Sequence, residues 1–304
     1  MITSEDLRFF CALTHQASLA EAARMLNVTP SSVSQRLQGI EDKLQLKLLN
    51  RQGKATTLTD EGQLLAERAH LILAEMDELQ EALHDRKNEL VGRLRILAPL
   101  GFGNQYVADL AARFQAQHKN VSVELELSES PHRRGLDAWD IVIHIGAQRD
   151  SSMLQTVLAK NRRFLCASPA YVARHGAPAR IEDLRHHACI ALRENAEDVT
   201  MWRLRAPGAA SEASIRIRPH LASNDGRVVK QWALTGHGIM MRSEWDVARE
   251  LRSGALLRIL PDHELPGADI VALLGSQQRL RSAKTMRFLD LLKVSLAPSP
   301  WRED

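Results

Sequence analysis

Long apolar runs are missing from this chain. Its uninterrupted apolar stretches are a handful of residues, far below the ~20 needed to cross a bilayer, so no transmembrane helix and no membrane partner are expected. The opening Met1-Ile2-Thr3-Ser4-Glu5-Asp6 is acidic and has neither the basic n-region nor the apolar h-region of a secretory signal. Cysteine is scarce: Cys11, Cys166 and Cys189 are odd in number, far apart, and form no C-x-x-C pair. That is the usage of a reduced, cytoplasmic chain. His186, His187 and Cys189 share a short segment, but adjacent histidines point in different directions and no H-x-x-x-H supports a metal site. No G-x-S-x-G elbow or S-x-x-K occurs, which argues against an enzyme of those classes. Gly101-Phe102-Gly103 lacks the third glycine of a dinucleotide fingerprint, so no Rossmann cofactor site is expected, and no other cofactor signature is read in the chain.

What is present is a chain of 304 residues, 44% hydrophobic and 25% charged, long enough for two or three domains and too apolar for a disordered tail. The net charge of +3 hides an asymmetry. From Ser31 to Leu58, Arg36, Lys43, Lys47, Arg51 and Lys54 face only Glu41 and Asp42. From Glu61 to Leu90, eight acids outnumber three bases. A basic stretch followed by an acidic one points to a polyanion-binding surface beside a solvated helix.

Ser18-Leu19-Ala20-Glu21 fits the capping box that starts a helix, and Leu19, Ala22, Ala23 and Leu26 carry its apolar face. The helix should stop at Asn27-Val28. Thr29-Pro30 then restarts one, with threonine as N-cap and proline at the first position. Val33, Leu37, Ile40 and Leu44 form its narrow apolar stripe. Ser31, Gln35, Gln38 and Asp42 lie opposite, flanked by Ser32, Ser34 and Arg36. Two short helices joined by a three-residue turn make a helix-turn-helix. Glutamine pairs with adenine, arginine with guanine, and serine with either kind of base, so this polar face suits base reading. The alternative is a helical hairpin whose polar face only meets water.

Arg51-Gln52-Gly53-Lys54-Ala55 is a basic turn leading into the strand-like Thr56-Thr57-Leu58-Thr59. This is the wing of a winged helix, placed to touch phosphate. Here the sequence resembles the LysR-type transcriptional regulators. The resemblance rests on Leu7-Arg8-Phe9-Phe10, Ser18 to Leu26, Thr29-Pro30-Ser31-Ser32-Val33-Ser34-Gln35-Arg36-Leu37, Ile40-Glu41, Leu48-Leu49-Asn50-Arg51 and Leu58-Thr59-Asp60-Glu61-Gly62. Residues 1-60 are therefore expected to be a winged helix-turn-helix that contacts double-stranded DNA through Thr29, Pro30, Ser31, Ser32, Ser34, Gln35, Arg36, Gln38, Arg51 and Lys54. Gln45 stands where the family mostly has glycine, which is expected to lengthen the recognition helix slightly. Leu49 stands where it mostly has phenylalanine.

Thr59 is a plausible N-cap for a long helix running to about Glu89. Leu65, Ala69, Ile72, Met76, Leu79 and Leu83 alternate steps of four and three, an a/d seam suited to a partner helix. The alternative is an amphipathic helix lying on its own domain. The resemblance makes residues 61-90 the linker helix that pairs two chains, implies a homodimer or a tetramer of two dimers, and implies contact with RNA polymerase.

Beyond the hinge Val91-Gly92-Arg93, Leu94 to Ala98 reads as a strand and Pro99-Leu100-Gly101-Phe102-Gly103 as a loop. A helix with Val107, Leu110, Ala111 and Phe114 follows, then strands at Val121 to Leu127 and Asp140 to Ile145. Strands alternating with helices imply a mostly parallel sheet in an α/β fold. A second α/β unit should begin at Arg163, with helices starting at Pro169 and Ile181. The polar turn Ser223-Asn224-Asp225-Gly226 precedes another helix, and Gly236 to Met241 returns as a strand. Ile270 to Leu274 and a helix from about Ser282 should return to the first unit.

This region resembles the effector-binding domain of LysR-type regulators, a two-lobed periplasmic-binding-protein fold. Ala167-Ser168-Pro169-Ala170-Tyr171, Ser223-Asn224-Asp225-Gly226 and Gly236-His237-Gly238 are similar to the branch that includes the CrgA and malate-utilisation regulators. The implied domain is 91-298, with lobe I at about 91-162 and 268-298 and lobe II at about 163-267. Two departures bear on the ligand. His144 stands where that branch usually has arginine, and Pro131-His132-Arg133-Arg134 where it tends to have aspartates. A ligand between the lobes is expected to meet Leu100, Gly101, Phe102, Gly103, Asn104, Ser128, His144, Trp202, Asn224 and Met240. Those groups offer donors, an apolar wall and no fixed cation, which favours a small organic acid or amino-acid-like effector. His144 is alternatively a structural histidine.

Overall fold

A computed structural model describes residues 1–14, 18–52, 55–85, 89–129, 139–146, 154–193, 199–274 and 282–302. The chain forms two compact units, Met1–Lys87 and Asn88–Asp304.

In the first unit α1 (Ser4–Thr14), α2 (Leu19–Met25) and α3 (Pro30–Leu44) are followed by β1 (Leu49–Gln52), β2 (Ala55–Leu58) and α4 (Asp60–Asp85). The caps sit where the sequence places them. Ser18 Oγ accepts the Glu21 N–H at 3.2 Å, and Thr29 Oγ1 accepts the Ser32 N–H at 3.2 Å. Asn27 takes a left-handed φ of 55° and turns the chain between α2 and α3. Gln45 also takes a left-handed conformation, φ 54° and ψ 35°, and its N–H bonds back to the Glu41 carbonyl. It thus ends α3 at Leu44, where lengthening was expected; the glycine position is kept as a backbone conformation although the residue is larger.

Val33, Leu37 and Ile40 pack with Phe10, Leu13, Ala22, Ala23 and Leu48 into one core. Each large side chain buried there contributes about 1.5–3 kcal/mol. β1 and β2 pair antiparallel, Asn50 opposite Thr57, as the wing. Gly62 lies so close to the Leu48 carbonyl that any Cβ would strike it, which fixes the start of α4 against the wing's base. The Thr59 hydroxyl accepts the Gly62 N–H at 3.0 Å and so starts α4. That helix is described through Asp85, and Glu89 and Leu90 are not helical.

The second unit holds two five-stranded sheets. Its strands are β3 (Gly92–Ala98), β4 (Val121–Leu127), β5 (Ile141–Ile145), β6 (Leu154–Ala159), β7 (Arg163–Ala167), β8 (Cys189–Leu192), β9 (Met201–Leu204), β10 (Ala213–Arg216), β11 (Pro219–Ser223), β12 (Ile239–Ser243), β13 (Leu257–Ile259) and β14 (Ile270–Leu274). The first sheet runs β4-β3-β5-β14-β6 and the second β11-β8-β12-β7-β13, while β9 and β10 pair antiparallel as a separate ribbon. In each sheet one strand, β14 or β7, runs antiparallel to both neighbours while the other four agree in direction. The chain crosses from the first lobe to the second between β6 and β7, and back between β13 and β14. Each lobe has its own cores: Leu94, Ile96, Phe114, Ile141 and Phe288 are in one, Leu165, Tyr171, Ile239 and Ile259 in another.

Pro99 to Gly103 is not a loop. Helix α5 (Leu100–Phe102) starts directly after Pro99, passes into a π turn at Gly103–Val107 and continues as α6 (Ala108–Gln117). Proline here fits a helix start as well as it fits a loop. The described residues also form helices α7 (Pro169–His175), α8 (Gly226–Leu234), α9 (Glu244–Arg252) and α10 (Ala283–Leu296), with 3-10 turns at Ile181–His186 and Pro300–Arg302. Among the described residues no helix is long and apolar enough to cross a membrane.

Candidate DNA-binding surface and ligand cleft

On α3 the outward face is as the sequence spaces it, yet its side chains differ in availability. Gln35 is exposed and its side chain makes no hydrogen bond among the described residues. Pro30, Ser31 and Ser32 are exposed at the helix start and Ser34 is half-buried. Thr29 Oγ1 is shared between the Ser31 and Ser32 hydroxyls, 2.8 Å from each. Two expected base readers are already engaged. Gln38 donates to Asp42 at 2.6 Å and accepts from Lys47 at 3.3 Å. The Arg36 guanidinium lies 4.6 Å from the Phe9 ring centroid and donates to the Glu5 carbonyl at 3.3 Å, so it turns back onto α1. Arg51 lies on β1, and Lys54 falls outside the described residues.

Sequence reasoning gave no role to Glu41, which is buried on α3. Its carboxylate accepts the Leu48 N–H at 2.9 Å and the Lys47 ammonium at 2.8 Å. Burial pushes its pKa up, but Lys47 and that N–H outweigh burial and hold it below the usual carboxylate range. Glu41 therefore ties the recognition helix to the wing.

The apolar seam of α4 divides in two. Ala69 is fully buried and Leu65 half-buried, packing with Leu7, Cys11 and Leu73 against α1. These two belong to the unit's own core. Ile72 (46% exposed), Met76, Leu79 (63%) and Leu83 face out, joined by Leu64 and Leu71. A heptad count cannot tell a partner chain from α1, which is why the seam read as one stripe.

In the second unit a cleft of about 400 Å³, including space open to solvent, lies between the lobes. Pro99, Gly101, Glu129 and Ile145 line it from the first lobe; Leu192, Gly226, Arg227, Arg242, Ser243, Trp245 and Asp246 line it from the second lobe and α9. Arg242 is 7% exposed, and its Nε and Nη2 both donate to Asp246 Oδ2 at 2.7 Å. Lys230 holds the other carboxylate oxygen at 3.0 Å. Gly226 makes room for the guanidinium: a Cβ there would lie 2.7 Å from Arg242 Cζ. Arg227, at the rim, is paired to Asp225 at 3.0 Å. Opposite them the Leu100 N–H, at a helix start, donates to Glu129 Oε1 at 2.9 Å, so a carboxylate of this chain already occupies that donor.

Of the ten residues expected around a ligand, the cleft lining includes Gly101 alone among the described residues. Trp202 and Met240 are buried in the second lobe's cores. Phe102 and Gly103 are buried in the first lobe, Leu100 is half-buried, and Asn104 and Asn224 are exposed away from the lining. The half-buried Ser128 extends β4, its N–H bonded to the Ala98 carbonyl at 3.0 Å. His144 sits across from Val271, on the sheet face that carries Leu97, Trp139, Val142 and Leu273. Strand alternation turns Ile145, not His144, to the cleft. The expectation of no fixed cation also fails, because Arg227 and Arg242 line the site. Pro131 to Arg134 lie outside the described residues.

The three thiols are buried and unpaired. Burial pushes Cys166 and Cys189 up to about 12 and raises Cys11, so at neutral pH they remain protonated and poorly reactive. Among the described residues no cluster of His, Cys, Asp and Glu is arranged to hold a metal ion.

A recognition helix with a wing in one unit, and a charged cleft between two α/β lobes in the other, are the build of a ligand-responsive transcription regulator. The family profile described as a bacterial regulatory helix-turn-helix protein of the lysR family matches residues 4–63, and the LysR substrate binding domain matches residues 87–297. The chain belongs to the LysR family of transcriptional regulators. It is 32% identical over 287 residues to the HTH-type transcriptional regulator DmlR of Escherichia coli strain K12, covering 93% of this chain and 92% of that one. The HTH-type transcriptional activator TtdR of the same strain is 33% identical over 260 residues, 86% of this chain and 83% of that protein. Among solved structures, CrgA, a LysR-type regulator from Neisseria meningitidis, superposes with a TM-score of 0.56 at 27% identity, covering 96% of this chain and 99% of that one. The full-length Vibrio cholerae virulence activator AphB shares the fold, with a TM-score of 0.63 at 24% identity, covering 96% and 98%.

Proposed function

We propose that this LysR-type regulator works in the cytoplasm as a homodimer, itself able to pair into a tetramer, and presents two copies of α3 to a two-fold related promoter site. Ile72, Met76, Leu79 and Leu83, with Leu64 and Leu71, form the face on which a second copy's α4 packs. Gln35, Pro30, Ser31, Ser32 and Ser34 read or approach the bases, Thr29 caps the helix that carries them, and Arg51 and Lys54 contact phosphate. Bound at a promoter, the protein acts on transcription through RNA polymerase.

The effector is a small organic acid or amino-acid-like metabolite, held in the cleft by its carboxylate on Arg242. The observation that carries this reading is a guanidinium 7% exposed, pinned by Asp246 and lining a cleft. Trp245 and Ile145 supply the apolar wall, and an ammonium on the ligand would face Glu129. Thermal-shift screening of the full-length protein against three- to six-carbon carboxylates and their amides tests it. Carboxylates are expected to stabilise the wild type and not Arg242→Met, whose Asp246 keeps Lys230 as partner. Hits that stabilise both proteins equally, or that survive conversion to the amide, would overturn it.

A further inference from the structure

We propose that the turn Pro300–Arg302 is a strap that clamps α9 across the junction of the lobes and sets how readily the cleft opens. The regulatory consequence rests on the cleft reading above; the strap itself does not.

Helix α10 packs into the first lobe through Phe288, Leu289, Leu292 and Leu296. The chain then reverses at Ser299, φ 52°, with the Arg302 N–H bonded to the Ser299 carbonyl at 2.7 Å. Three residues from there reach both ends of α9. At its start, Arg302 donates to Glu244 through Nη2 at 2.6 Å and Nε at 3.1 Å. At its end, Arg252 Nη1 donates to the Trp301 carbonyl at 2.8 Å. Between these contacts the Trp301 ring, 3% exposed, sits 5.5 Å from Tyr106 and 6.4 Å from Phe102 in the first lobe. Phe102 in turn meets Trp245 of α9 edge-on at 5.4 Å. These separations are those of favourable aromatic pairs. The indole N–H groups of Trp245 and Trp301 find no acceptor among the described residues, so ring packing, Arg302 and the Arg252 bond to the Trp301 carbonyl hold the strap.

What is clamped matters for the cleft. Ser243, Trp245 and Asp246, at the start of α9, are cleft residues, and Asp246 positions Arg242. At the crossing itself Asn161, 2% exposed, donates to the Ala268 carbonyl at 2.8 Å and accepts the Trp245 N–H at 3.4 Å. Opening the cleft by rotating the lobes therefore drags α9 past Phe102 and Tyr106, and the strap resists that slide.

Hydrogen exchange on the ligand-free, full-length protein tests this in the wild type, Arg302→Ala, Trp301→Ala and a chain ending at Ser299. The amides of α9 and of residues 161–163 are expected to exchange at least ten-fold faster without the strap and about three-fold faster in Arg302→Ala. Those of α3 should be unchanged, and Arg205→Ala, which breaks an exposed pair with Glu264 elsewhere in the second lobe, should change nothing at α9. Unchanged exchange at α9 in all strap variants would overturn the proposal. So would a uniform acceleration over the whole second unit, which would mean simple loss of stability. Because no ligand is used, failure here leaves the carboxylate reading standing, and failure of the carboxylate screen leaves the strap standing.

Discussion

Gly226→Ala is the smallest change that reaches the buried cation of the cleft. The new Cβ would strike Nη2 of Arg242 most closely and would lie 2.7 Å from its Cζ and Nη1, roughly 1 Å or more inside ordinary contact. A guanidinium is the far end of a flexible side chain, but this one is anchored: Nε and Nη2 both sit 2.7 Å from Asp246. Moving it by ~1 Å sacrifices at least one charge-assisted hydrogen bond, worth about 1.5–3 kcal/mol. Lys230 remains on Asp246, so the carboxylate is not abandoned. Against this, alanine gains up to ~1 kcal/mol over glycine in a helix. The expected net is a destabilisation of about 1–2 kcal/mol. For a unit of this size that lowers Tm by about 2–8 °C, with effector response reduced more than stability. Thermal denaturation of the full-length variant beside Gly267→Ala, where a Cβ meets open space, is the assay. A Tm for Gly226→Ala equal to or above wild type would show that Arg242 is not pinned and would refute the reasoning.

Ile72→Asp places a carboxylate on the exposed face of α4; light scattering should show monomers, and an unchanged oligomer would sink the proposed dimer face. Burial pushes the Glu244 carboxyl up, but Arg162 and Arg302 outweigh it and hold it at about 2, below its ordinary 4.5. A lowered folded pKa stabilises above the unfolded value, so this contribution, about 3 kcal/mol, is complete above pH ~4.5 and is lost as pH falls toward 2. Glu244→Gln should flatten that acid limb of the stability curve, and an identical limb would count against the assignment. Gly39→Ala, in α3 with no atom within 4 Å of its Cβ, should stabilise the first unit by ~0.5–1 kcal/mol, read as a later denaturation midpoint.

Local signals were legible and long-range ones were not. Ser18, Thr29 and Pro30 act on neighbours within three residues, so their caps could be placed from the chain alone. The apolar stripe of α3 was likewise visible, because a helix face repeats at short range. Leu65 and Ala69 share one stripe with Leu79, and periodicity does not say which neighbour covers each part of it. The displacement of His144 by Ile145 is a one-residue matter of strand alternation. Arg242 is not legible in the chain because its meaning depends on Gly226, 16 positions upstream, and on the α9 helix that carries Asp246. Glu244 and Arg302 are 58 residues apart, and no pattern in the chain connects them.

The most direct test of DNA reading by α3 is selection from a pool of random duplex DNA with the full-length protein and its Gln35→Ala variant. The wild type should enrich paired, two-fold related half-sites centred about 10 bp or a multiple apart. Gln35→Ala, an exposed residue without a structural partner, should bind the same site about 1–3 kcal/mol more weakly and lose preference at one position in each half-site. Absence of any enriched sequence with the wild type, or an identical preference and affinity in the variant, would contradict base reading by this helix.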